Sequence, residues 1–67
     1  MGLLDPKYQE AVKAVQASGR TSTSYIQRCL LISYNRAARI IEAMELDGVV
    51  SAADYLGART VIKKDME

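Results

Sequence analysis

Asn35, Arg36, Arg39 and Glu42 have the types and spacing that suit recognition of bases rather than catalysis. An arginine fork matches guanine O6 and N7, an asparagine amide bonds adenine, and a glutamate carboxylate accepts from cytosine N4. Successive separations of one, three and three residues let all four point away from the core on one helix. Arg28 and Arg59 carry guanidinium groups suited to phosphate. Ser24 is read as a helix cap whose helix N-terminus can also face a phosphate. Tyr34 either packs beneath a turn, which is the favoured place, or reaches a phosphate. Each of these residues also has a structural reading. Asn35 can be a second helix cap, Arg39 can pair with Glu42 three residues on, and Arg28 and Arg59 can be solvated surface.

The net charge of +1 conceals an uneven distribution. Between positions 20 and 40 the charged residues are Arg20, Arg28, Arg36 and Arg39, with no acid; between 41 and 57 they are Glu42, Glu45, Asp47 and Asp54, with no base. An all-arginine block suits phosphate and guanine edges, although on charge alone a solvated face with neighbouring counter-charges is the favoured reading. The absences are as informative. With no His and one Cys, neither a zinc site nor a Ser-His-Asp or Cys-His centre can be assembled. The chain therefore reads as neither an enzyme nor a metal or cofactor protein. Cys29 has no disulfide partner and reads as a small, semi-buried hydrophobe, which suits a reducing compartment, most simply the cytoplasm. A chain of 67 residues supports one domain, 1–67, with an ordered core of about 5–62 and no large substrate cavity. No apolar run approaches the roughly 18 residues that span a membrane, so no membrane contact is expected from this segment.

The elements that must position these residues follow from the apolar pattern. Asp5 as cap, Pro6 at the first helical position and the stripe Tyr8, Ala11, Val12 and Val15 predict a first helix over about 6–18, stopped by Gly19. Arg20 to Ser24 is polar, a short edge strand or a loop. Ser24 followed three residues later by Gln27 has the spacing of a capping box and predicts a second helix over about 24–31, with Ile26 and Leu30 inward. Ser33 caps a third helix over about 34–47, whose apolar face is Ala37, Ile40, Ile41 and Met44, with Ala38 at its margin, and Gly48 ends it. Val49 to Ser51 and Arg59 to Ile62 read as the strands of a hairpin with a long tip, and Lys63 to Glu67 as a charged tail. Three helices with a short connector between the second and third, then a hairpin, is the order of a winged helix-turn-helix: α+β, mainly α, with a C-terminal β-hairpin wing. In that fold the helix after the turn enters the DNA major groove, and here it is the helix bearing Asn35, Arg36 and Arg39.

The run Tyr34-Asn35-Arg36-Ala37-Ala38-Arg39-Ile40-Ile41-Glu42, with Met44-Glu45 and Gly48-Val49-Val50-Ser51 after it, closely resembles the C-terminal gamma domain of the FtsK/SpoIIIE DNA translocases. Asp5, Tyr8 and Ala11-Val12 look like that domain's first helix, and Ser24, Gln27-Arg28 and Leu30 like its second. Gly57-Ala58-Arg59-Thr60-Val61 is similar to the family's wing. The resemblance covers about residues 5–62. It implies a winged helix that binds double-stranded DNA and reads short, G-rich, strand-polarised octamers. Such a domain orients a DNA translocase during chromosome segregation and cell division and, in many bacteria, activates the XerD recombinase. It also implies base reading by Asn35, Arg36, Arg39 and Glu42. Several copies would share one DNA site, while the near-zero net charge suggests a monomer when free. Cys29 and Leu31 stand where the family commonly has basic residues, which weakens phosphate attraction. Ser33 stands where it commonly has Gly, and Asp54-Tyr55-Leu56 replaces a polar wing tip. No Walker motif is present, so the chain by itself does not move DNA. The alternative is a free-standing phage or mobile-element protein that acts as a repressor or competitor, or as a recombinase-docking module.

Overall fold

Tyr8, Ala11 and Val15 recur on one stripe, and in the computed structural model, which describes residues 4–62, that stripe is the buried side of α1, Tyr8–Ser18. The helix begins two residues later than the pattern predicts. Asp5 does not cap it: the Asp5 side chain accepts from the Lys7 amide at 2.9 Å, its carbonyl accepts from the Tyr8 amide at 2.9 Å, and Lys7 becomes the boundary residue with no side-chain cap. The Asp5 carboxylate is also bonded to a distant arginine, described below, which holds residues 5–7 as a turn rather than as a first helical turn. Gly19 ends α1 in the left-handed conformation, its amide returning to the Val15 carbonyl at 2.8 Å.

The second helix, α2, is Thr23–Leu30, and its cap is Ser22, not Ser24. The Tyr25 amide donates to Ser22 Oγ at 3.0 Å, so the expected Ser24–Gln27 capping box is absent and Ser24 lies exposed in the first turn. Thr21-Ser22-Thr23-Ser24 offers four capping hydroxyls in a row, and the local sequence does not choose among them. Both registers keep Ile26 and Leu30 inward; Ser22, in extended backbone, takes the cap. Leu31, rather than Ser33, adopts the left-handed conformation after α2, with φ of 55°. Ser33 is ordinary extended backbone and caps α3, Tyr34–Leu46, by accepting from the Arg36 amide at 3.1 Å, as its position predicts. Asp47 follows as the C-terminal cap, and Gly48 turns the chain with φ of 80°.

The three helices enclose one core: Tyr8, Ala11 and Val15; Ile26 and Leu30; Ala37, Ile40, Ile41, Ala43 and Met44. Val49 and Val50 complete it from beyond α3, and Val12, Tyr25, Ile32 and Val61 pack around its margin. Ala43, missing from the expected apolar face, is buried because an alanine fits where the helix passes close to its neighbours. The Tyr8 phenol, buried against the end of α3, donates to Asp47 Oδ2 at 3.2 Å. Burial, together with the adjacent carboxylate, pushes its pKa up to about 12.

The expected hairpin is reduced. Val50 and Val61 form an isolated antiparallel bridge, and among the described residues no longer ladder joins Val49–Ser51 to Arg59–Ile62. The reason lies in where the amides go. Val49 and Val50 donate back to the Met44 carbonyl, at 2.8 and 3.4 Å, and the Thr60 amide donates to Ser51 Oγ at 3.0 Å. The Ser51 amide to Thr60 carbonyl and Ile62 amide to Val49 carbonyl bonds, at 2.9 and 2.8 Å, keep the two segments side by side. The tip is closed by Asp54, whose Oδ1 accepts from the Leu56 and Ala58 amides at 2.8 and 2.9 Å. The charged tail expected over 63–67, and the ends of the domain assigned to 1–67, lie outside the described residues.

Candidate nucleic-acid interface

The surface of α3 opposite the core carries Asn35, Arg39 and Glu42, all exposed. Their spacing of i, i+4 and i+7 aligns them in one stripe. Arg39 and Glu42 do not pair; among the described residues neither makes an ion pair. An open guanidinium, an open amide and an open carboxylate therefore stand in a row on a helix rigidly seated by Ile40, Ile41 and Met44. Such a row can donate to guanine and exchange hydrogen bonds with neighbouring base edges.

Arg36 is separate from this row. At 3.6 residues per turn it sits about 100° around the helix from Asn35, and it is half-buried. Its Nε donates to Asp5 Oδ2 at 2.6 Å and its Nη2 to Asp5 Oδ1 at 2.7 Å, a side-on bidentate pair. The Asp5 side chain is 12% exposed and that of Arg36 41%. The Arg36 bonds, with the Lys7 amide, hold the Asp5 carboxyl down to about 2, and the same pair raises Arg36 above its ordinary value.

Arg59 does not lie free on the surface as a phosphate contact would. Its Nη1 donates to Glu45 Oε1 at 2.6 Å and to the Ser51 carbonyl at 3.2 Å, and its side chain is only 17% exposed. It ties the C-terminal segment to the end of α3. The Thr21 hydroxyl reinforces that tie by donating to the Arg59 carbonyl at 2.9 Å. Glu45, which the sequence marks only as one acid of the stretch 41–57, is the partner that spacing alone does not reveal.

Arg28 is exposed in the last turn of α2, and Ser24 is exposed in its first. Tyr34, favoured for the core, is instead 55% exposed at the start of α3. Cys29 is likewise exposed rather than semi-buried. It falls outside the α2 stripe of Ile26 and Leu30. Arg20, noted only as part of the arginine block, lies over the Tyr25 ring at 5.5 Å. It lines an open groove of about 300 Å³ with Ser22, Tyr25, Arg28 and Cys29. Of the four arginines in the block, Arg20, Arg28 and Arg39 have no carboxylate partner among the described residues, whereas Arg36 does. Among the described residues no group of His, Cys, Asp and Glu is placed to hold a metal ion, and no helix is long and apolar enough to cross a membrane.

Residues 3–64 match the model of the Ftsk gamma domain. The chain is 52% identical over 59 residues to a DNA translocase FtsK of Treponema pallidum, covering 88% of the chain and 7% of that protein. It is 57% identical over 58 residues to the DNA translocase FtsK of Pseudomonas aeruginosa, covering 87% of the chain and 7% of that protein. To DNA translocase FtsK 2 of Neisseria meningitidis it is 49% identical over 61 residues, covering 91% of the chain and 6% of the relative.

Proposed function

The chain belongs to the FtsK gamma-domain family, and from that membership together with the α3 surface we propose that it binds double-stranded DNA sequence-specifically as a winged helix. It corresponds to the gamma-domain portion of these proteins, not to their catalytic ATPase portion. It spans 6–7% of the relatives' length. In the proposed complex α3 lies in the major groove. Asn35, Arg36, Arg39 and Glu42 read a short, G-rich, strand-polarised site, and Ser24, Arg28, Tyr34 and Arg59 approach phosphates from either side. For Arg59 that approach requires exchange of its Glu45 bond. Several monomers share one site, and together they give a translocase its direction along the chromosome. The setting is cytoplasmic, no cofactor is needed, and contact with a XerD-type recombinase is part of the same role.

The single observation that supports this reading most is the open row of Asn35, Arg39 and Glu42 on the core-seated α3, with no ion pair to these groups among the described residues. The test is selection from a duplex pool with a randomised central segment, followed by fluorescence anisotropy on the selected and scrambled duplexes at two salt concentrations. The expected result is an enriched polarised, G-rich site preferred at least about ten-fold (about 1.4 kcal/mol), with Arg39→Ala losing that preference. No enrichment overturns DNA reading.

One observation favours a second reading, docking of a protein partner through the C-terminal segment. Tyr55 is 94% exposed and sits beside the exposed Leu56 on the tip closed by Asp54. If Tyr55→Ser abolishes recombinase activation while DNA preference persists, the two roles reside on separate surfaces of one domain.

A further inference from the structure

The side-on pair between Asp5 and Arg36 uses one edge of the guanidinium and leaves the other. Nε and Nη2 face the carboxylate, and none of the described bonds uses Nη1. A guanidinium offers five N–H donors, so an arginine held by its Nε–Nη2 edge can still present an Nη1–Nη2 fork end-on. Asp5 is nearly covered while Arg36 remains much more open, so the pair is rooted on the α1 side and exposed on the arginine side. The Asp5 backbone is itself fixed, because its carbonyl accepts from the Tyr8 amide and its carboxylate from the Lys7 amide. The arginine backbone is fixed by the Ser33 cap.

We propose that Asp5 is a positioning residue for DNA recognition, holding Arg36 by its Nε–Nη2 edge so that the Nη1–Nη2 edge is presented, already oriented, to a guanine or to the adjacent phosphate. This inference rests on the reading of α3 as the recognition helix. It assigns a role in specificity to a residue that lies outside that helix, 31 positions away in the chain. A flexible arginine loses side-chain rotamer freedom when it grips a base; one already clamped by a carboxylate loses less, and it discriminates more sharply because the fork cannot tilt toward a wrong acceptor. Lysine cannot replace it, since an ammonium has no second edge to present once bonded to the carboxylate.

The two alternatives make different predictions. If the pair is only a structural brace, removing it lowers thermal stability and leaves discrimination intact. If Asp5 competes with DNA for the arginine, removing it tightens binding to every duplex. The experiment uses the 67-residue chain and a duplex pool with a randomised central segment. Position-resolved preference profiles are measured for the wild type and for Asp5→Ala, Asp5→Asn, Arg36→Ala, Arg36→Lys and Arg39→Ala, below the melting temperature of the least stable variant. The expected result is that Asp5→Ala, Asp5→Asn and Arg36→Lys each relax preference at the same base pairs as Arg36→Ala, by about five- to ten-fold, while the base pairs read by Arg39 keep theirs. An unchanged profile with a lowered melting temperature overturns the proposal in favour of a brace. Uniformly tighter binding overturns it in favour of competition. If Arg36→Ala lowers affinity for every duplex without relaxing any base preference, and Asp5→Ala matches it, the presented edge grips phosphate and no base, and the role in specificity is overturned. Failure of Arg39→Ala to change any position overturns the reading of α3 itself, an outcome distinct from failure of the Asp5 variants alone.

Discussion

Between Tyr8 and Leu46 the backbone satisfies its hydrogen bonds mainly inside each helix; between Val49 and Ile62 it satisfies them through a carbonyl at the end of α3, a serine hydroxyl, an aspartate side chain and one bridge. The first region therefore needs only its apolar stripes to meet, and they meet in one core. The second has almost no independent structure. It is held by two buried valines at its root and by one arginine near its return. The difference shows that adjacent segments of a small domain can owe their shape to different forces, helix periodicity in one and anchoring to a neighbour in the other.

The sharpest way to break the comparison is in the core of α3. Ile40→Ala should cost about 3 kcal/mol, because it empties a fully buried site in the core the three helices enclose. Chemical denaturation should show one cooperative transition moved to lower denaturant. Val50→Ala should cost less, about 2 kcal/mol, and should loosen the C-terminal segment selectively. Amide exchange at Ser51 and Ile62 is expected to accelerate more than exchange within α1, whereas uniform acceleration would show that the segment is as integral as the helices. At the tip, Tyr55→Ser should stay within about 0.5 kcal/mol of the parent.

A finer comparison concerns the start of α2. Ser22→Ala should cost about 1 kcal/mol by removing the cap on the Tyr25 amide, while Ser24→Ala should change stability by less than about 0.5 kcal/mol. The reverse order would restore the Ser24 register.

The narrowest effect is confined to acid. Folding holds the Asp5 carboxyl at about 2 against an ordinary 3.8, chiefly through its bonds from Arg36. As pH falls through this interval the unfolded chain takes up the proton first, so the stability that this pair contributes is present above pH 3.8 and is lost progressively toward pH 2. Asp5→Asn should flatten that part of an acid melting profile and leave neutral pH comparatively unaffected in slope.

Much of the helical region was legible because it is encoded locally. The i, i+3, i+4 stripes named the buried faces of α1 and α2 and most of that of α3, and Gly19, Ser33 and Gly48 marked three boundaries at their observed places. The starts of α1 and α2 differ from those the pattern predicts because capping residues are in surplus: Asp5 is drawn into a turn and an ion pair, and Ser22 competes with Ser24. Strand propensity was legible over Val49–Ser51 and Arg59–Ile62, but pairing depends on which amides are still free, and Met44 and Ser51 Oγ had already taken three of them. Tyr34 and Cys29 are more exposed than their residue types predict, because burial depends on how much space the neighbours leave, which an isolated apolar residue does not reveal.

For the candidate site, the type and order of the groups on α3 follow from residue spacing alone, since a fixed helical period turns spacing into a shared face. Asn35, Arg39 and Glu42 needed nothing more to stand in a row. Which arginines are engaged depends on how the folded chain brings distant charges together. Arg36 meets Asp5 across 31 residues and Arg59 meets Glu45 across 14. No local rule couples positions so far apart; chain folding brings those charges together, and at 2.6 Å a guanidinium and a carboxylate bind each other rather than water.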